Sequence, residues 1–153
     1  MKKLSAAFFA STSLLIVACG DKPAPQNPAT GETTAAVGDG EAVAAQIARG
    51  QELYGARCAR CHGDGGQGTE KGPKVVGEGA FPLDPRPGAK RNVPFRTAAD
   101  VFAWASKAMP GDEPGTVSTE DMLAIFAFDL TANGVKLTAP LDGPAAAAIV
   151  LHP

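Results

Sequence analysis

Three stretches with helical periodicity, a glycine- and proline-rich middle and the absence of any βαβ pattern around the cysteine pair predict a small all-α domain in this 153-residue chain. The first helix is expected from about Glu41 to Arg57, where Val43, Ile47, Leu53 and Tyr54 recur near helical spacing. Thr97-Ala98-Ala99-Asp100 has a capping hydroxyl followed three residues later by an acid. It opens a second helix that carries Val101, Phe102 and Trp104 towards Met109. Ser118-Thr119-Glu120-Asp121 opens a third, which runs through Met122, Leu123, Ile125, Phe126 and Leu130 to about Ala132 and stops at Asn133-Gly134. Between His62 and Thr97 glycine and proline are frequent and periodicity is weak, so a loop with at most one short helix is expected. A domain of about ninety residues, 41–133, buries too little apolar surface to be comfortable alone.

Cys58-Ala59-Arg60-Cys61-His62 supplies what the small core lacks. The C-x-x-C-H spacing is that of covalent c-type haem attachment. Two intervening residues let both sulfurs reach one porphyrin edge, and His62 then lies where it can ligate iron. The alternatives are a thioredoxin-like redox pair and half of a zinc site. The first wants a βαβ unit, which is not visible. The second wants two more ligands, and outside the motif the chain offers only Cys19 and His152, near its opposite ends.

With His62 as one axial ligand, a sixth could come from Met109, Met122 or His152. Met109 is the expected ligand. It stands in Ala108-Met109-Pro110-Gly111, where a helix gives way to an irregular stretch and a long thioether can turn towards a cofactor. Met122 falls in the first turns of a regular helix, where core packing is its ordinary role, and His152 is next to the last residue given.

Residues 49–131 resemble a class I, single-haem bacterial cytochrome c. The resemblance is carried by Gly50-Gln51-Glu52-Leu53-Tyr54 before the motif, by Gly63-Asp64-Gly65-Gly66-Gln67-Gly68 after it, and by Gly72-Pro73, Val76-Gly77 and the run from Trp104 to Leu130. It implies a small helical bundle around one covalent haem c. It also implies that the Pro73 carbonyl accepts a hydrogen bond from the second nitrogen of His62, and that Gly50 sits where the first and last helices cross, near Tyr54 and the Phe126/Phe128 region. Trp104 reads either as a wall of the haem pocket or as plain helix-face core. Arg96, and after it Arg91, are candidates to pair with a haem propionate. The other reading of Arg86, Lys90, Arg91 and Arg96 is a solvated basic loop.

Residues 1–18 have a basic start and an apolar run, shaped like a secretory signal and short for a membrane span. Ile16-Val17-Ala18-Cys19 resembles a bacterial lipobox, so cleavage before Cys19 and lipidation of its thiol are expected. Ordinary signal cleavage nearby is the alternative. The rest of residues 19–40 is rich in Pro, Ala, Thr and Gly and reads as a tether with a root-mean-square reach of about 25 Å, or as a leader of no particular length. Residues 134–153 form a C-terminal extension in which Pro144, four alanines and Ile149-Val150-Leu151 suggest a short helix or strand laid on the domain.

Removing residues 1–18 takes Lys2 and Lys3 from the 14 basic residues and nothing from the 16 acids, which leaves a charge of about −4 and argues against nucleic acid as a partner. These features together predict a monomeric one-electron carrier on the periplasmic side of a bacterial membrane. It would be held by a lipid on Cys19, would dock transiently with redox proteins at the haem edge, and would need no catalytic residues. The alternatives are an electron-transfer subunit of a stable oxidoreductase complex and a haem-based sensor or peroxidase.

Overall fold

Helix α1, Asp39–Arg57, begins two residues ahead of its expected start. Gly38 gives it no side-chain cap, but Asp39 and Glu41 in the first turn and Arg57 in the last complement the helix dipole. The computed structural model describes residues 38–153. The expected signal segment, Cys19 and most of the expected tether lie outside the described residues. Cys58 keeps a helical backbone, φ −115° and ψ −37°, so α2, Ala59–His62, continues directly from α1 and the C-x-x-C-H motif is presented on a helical turn.

Helix α3, Ala98–Ala108, has the capping box its sequence predicts: the Asp100 amide donates to Thr97 Oγ1 and the Thr97 amide donates to the Asp100 carboxylate. Helix α4, Thr119–Ala132, is capped by Ser118, whose hydroxyl accepts from the Asp121 amide. It ends in a Schellman arrangement, with the Gly134 amide on the Thr131 carbonyl at 2.9 Å and the Val135 amide on the Leu130 carbonyl at 3.0 Å. Helix α5, Gly143–Ala148, starts at Asp142, which accepts from the Ala145 amide, with Pro144 in the first turn where a missing N–H costs nothing.

α1 crosses α4 at Gly50, where a Cβ would stand 1.9 Å from the Ala124 carbonyl oxygen. Any side chain there would push the helices apart, which is the physical meaning of a glycine inside this helix. One turn on, Tyr54 packs against Phe128 at 5.3 Å between ring centroids. The main core joins α3, α4 and the loop through Phe81, Phe95, Val101, Phe126 and Leu130.

Residues 134–153 belong to this core. Leu141 and Ala146 are fully buried in it, and the Gln46 side chain clasps the Leu141 backbone in both directions, at 2.9 and 2.7 Å. Thr97 and Val150 form an isolated antiparallel bridge; beyond it the described residues contain no strand. The Ile149 carbonyl accepts from the Ala98 amide at 2.9 Å, and the Arg96 carbonyl accepts from the Leu151 amide at 2.8 Å. The segment thus ties down the start of α3.

Candidate functional site

The loop after His62 turns back under the motif. Its Gly68 amide donates to the His62 carbonyl at 2.7 Å, and Thr69 Oγ1 donates to the Cys61 carbonyl at 2.5 Å. At Gly72 a Cβ would meet the Cys61 carbonyl at 2.8 Å, so only glycine lets the chain pass this close. The next residue, Pro73, places its carbonyl oxygen 2.6 Å from His62 Nδ1. A carbonyl can only accept, so Nδ1 carries the proton and donates, and Nε2 is left with its lone pair free for a metal.

His62 shares a cavity of about 530 Å³ with the thiols of Cys58 and Cys61, which are not joined to each other. That size lies in the range of cofactor pockets, about 300–1,000 Å³. Met109 and Trp104 line the same cavity, and so do Met122 and Phe126 from α4. Met109 is the C-cap residue of α3: its amide still donates to the Ala105 carbonyl at 2.8 Å, while its extended backbone turns the chain out of the helix. The loop that follows is fastened to the motif from outside. Arg57 donates to Thr116 Oγ1 at 2.9 Å and reaches Glu113 at 3.5 Å, and Arg60 pairs with Asp112. Trp104 meets Phe95 edge-on at 6.1 Å.

Three sequence candidates are located elsewhere or otherwise engaged. Arg96 is exposed and lies outside the cavity, because its backbone is engaged with the C-terminal segment and with the Asp100 carboxylate. Arg91 turns inward instead. It is 7% exposed and donates to the carbonyls of Pro82, Leu83, Asp84 and Val93, with its guanidinium 3.8 Å over the Phe95 ring. It organises the loop as a buried hub, not as part of a solvated basic run. His152 is also off the cavity, with Nε2 2.8 Å from the Phe81 carbonyl oxygen.

Asp129 on the cavity wall was not expected from the sequence. It is 6% exposed, its Oδ1 has no hydrogen-bond partner among the described residues, and burial raises its pKa to about 8. Its signal was present: Met122, Ile125 and Phe126 lie seven, four and three residues before it on α4, so the helical period puts an acid on the apolar face. Burial, followed by the Asp129 charge, pushes the Cys58 thiol up to about 11. The same two influences push the Tyr54 phenol up, and its hydroxyl donates to the Gly63 carbonyl at 2.9 Å.

A mostly apolar cavity, two unpaired thiols at its edge, an imidazole held by Nδ1 and a thioether at a helix end suit a haem bound through sulfur. A helical domain built around such a cavity is a small c-type cytochrome. The chain matches the family model for cytochrome c oxidase, cbb3-type, subunit III over residues 45–128, and it belongs to that family. Among solved structures it resembles a chain of the sulfane dehydrogenase SoxCD from Paracoccus pantotrophus, with 30% identity and a TM-score of 0.53, over 69% of this chain. It spans about half, 52%, of that longer chain. No curated protein matches it. The described domain is thus a cytochrome c domain, and its cofactor is covalently bound haem c.

Proposed function

We propose that this cytochrome is an exported one-electron carrier whose haem is fixed by thioethers to Cys58 and Cys61 and whose iron is held between His62 and Met109. The observation that carries the assignment is the convergence of those four side chains on one cavity, with His62 oriented by Pro73. Bound haem supplies a one-electron couple between ferric and ferrous iron; the protein sets its potential, its water access and its docking. Nδ1 donation to the Pro73 carbonyl fixes the imidazole plane and strengthens Nε2 as a ligand. The thioether of Met109 favours the ferrous state and raises the potential relative to a second histidine. Phe95 and Trp104 exclude water from the α3 side. Lipidation of Cys19 and a tether over residues 19–40 would hold this domain at the periplasmic face of a membrane while it reaches its redox partners. Among the described residues no helix is long and apolar enough to cross a membrane.

The test is the optical spectrum of the holoprotein. His/Met ligation gives a low-spin c-type spectrum with the weak far-red iron–thioether band and no response of the ferrous form to carbon monoxide. Met109→Ala keeps covalent haem, lowers the potential and opens the iron to carbon monoxide. If Met109→Ala leaves the spectrum unchanged and Met122→Ala alters it, the ligand is Met122, which lines the same cavity. Retention of haem through acid extraction after both Cys58→Ala and Cys61→Ala would overturn the attachment.

A second reading is an electron-transfer subunit of a stable oxidoreductase assembly. The resemblance to a chain of a dehydrogenase complex favours it. Co-purification with a fixed partner at high salt would decide for it, since transient redox docking is small and salt-sensitive.

A further inference from the structure

Asp129 occupies a position that the rest of its helix face gives to apolar side chains. It stands on the cavity wall with an unpartnered oxygen, and nothing in the electron-carrier reading uses it. An isolated buried carboxylate is costly enough that such a group takes up a proton instead of staying charged.

Among the described residues its surroundings offer no compensating cation. From α1 the facing groups are Tyr54, whose hydroxyl is committed to the Gly63 carbonyl, and Cys58, whose thiol would become a neutral thioether on haem attachment. Behind them lie Asp64, a like charge, and Arg57, whose guanidinium reaches outward to Glu113 and Thr116. On the loop side, Lys74 sends its ammonium to the Glu78 carbonyl at 3.0 Å. The Asn133 amide goes to the backbone carbonyls of Val75 and Asp129, not to the Asp129 carboxyl. Burial is accordingly the cause of the raised pKa, which puts Asp129 within reach of titration near neutral pH.

We propose that Asp129 is a redox-linked proton site: it binds a proton when the haem is reduced and releases it when the haem is oxidised, so that electron transfer by this cytochrome carries a proton with it. The inference rests on the reading that haem fills this cavity through Cys58 and Cys61. Ferric haem has one more positive charge than ferrous haem, and in a low-dielectric cavity lined by Asp129 that charge would favour the carboxylate. One electron arrives from the redox partner, which is oxidised by one electron, as hydronium gives up one proton: its O–H bond breaks as an O–H bond on the Asp129 carboxylate forms and water is left. Oxidation reverses both transfers, and no other co-reactant is needed.

The experiment is a potentiometric titration of purified holoprotein from about pH 5 to about pH 9, a window that brackets the raised carboxyl, with covalent haem content measured first. The wild-type potential is expected to fall as pH rises, by at most the one-electron equivalent of a tenfold change in proton concentration, about 59 mV per pH unit. Asp129→Asn is expected to stay level across the same window, near the acid limit of the wild type. A level wild-type curve overturns the proposal. So does an unchanged slope in Asp129→Asn, which would assign the proton to the haem propionates.

Wild-type protein alone gives a second reading should the variant fail to fold. The reduced-minus-oxidised infrared spectrum must gain a protonated-carboxyl band that shifts on carbon-13 labelling of aspartate, and its absence overturns the proposal as well. Protein that takes up no covalent haem would overturn the cofactor-attachment reading instead, so the two failures are told apart.

Discussion

The α1–α4 crossing and the loop side of the cavity are built on opposite principles. At the crossing, two helix backbones touch where Gly50 has no side chain, and Tyr54, Ile125 and Phe128 close the contact. On the other side, residues 63–96 have no regular structure. They are held by individual polar contacts: Pro73 with His62, Asn133 with Val75 and Gly77, and Arg91 with four carbonyls. Apolar close packing is self-sufficient and intolerant of added volume. A loop held by separate hydrogen bonds can lose one and remain, and it leans on the group it encloses. The first region therefore fixes the frame, and the second adapts the frame to a cofactor.

Adding volume at the crossing should have the largest effect. Gly50→Val places atoms inside the Ala124 carbonyl and is expected to cost about 3 kcal/mol or more, the upper end for overpacking. A denaturant midpoint within error of wild type would show that the crossing is looser than described. Arg91→Ala takes the donor from four carbonyls, of which only that of Leu83 keeps another, the Phe95 amide, and removes the guanidinium from the Phe95 ring; a loss of about 2 kcal/mol is expected. Hydrogen exchange in that variant should rise at residues 82–95 and stay unchanged in α1 and α4. Faster exchange in the helices would mean that the two regions are not separable.

A pH series sharpens the comparison at the wall between the two regions. The folded-state pKa of Asp129, about 8, lies above the unfolded carboxyl value of about 3.9. Between those values the folded protein keeps a proton that the unfolded chain has lost. Stability should therefore fall as pH rises from about 4 to about 8, and Asp129→Asn should remove that part of the fall. Unfolding curves of both proteins at the two ends of the window measure it; equal slopes would contradict the burial.

Asn133→Ala is expected to cost about 1 kcal/mol, since one amide bridges Val75 and Gly77 to the end of α4. Arg60→Ala sits at the bottom of the series. Both Arg60 and Asp112 are largely solvated, so the melting midpoint should not move measurably.

The three long helices were legible because their signals are local. Apolar period, Thr97 with Asp100, Ser118 with Asp121 and the Asn133-Gly134 stop all act within one or two turns. The juxtaposition of Cys58, Cys61 and His62 on one cavity was legible for the same reason. The loop path was not, because its contacts join residues far apart in sequence, as Asn133 and Val75 are. That also explains why the sequence did not distinguish the paths of two arginines. Arg91 and Arg96 have the same chemistry and lie five residues apart, and only the coil of residues 82–93 turns the first inward while the C-terminal segment pins the second outside. Residues 134–153 were expected to lay a short helix or strand on the domain, and what the sequence did not indicate is how deep they go: Leu141 and Ala146 complete the core. Asp129 could have been found from its position on the α4 face.

The contact between His62 and residue 73 is made by a main-chain oxygen, a group every amino acid possesses. Exchanging Pro73 for another residue would leave the acceptor chemically intact, whereas lengthening the turn by a single residue would carry it out of reach. At this point of the molecule, tolerance to mutation is therefore a matter of spelling length more than of spelling: substitutions are read as synonyms, and insertions or deletions as errors.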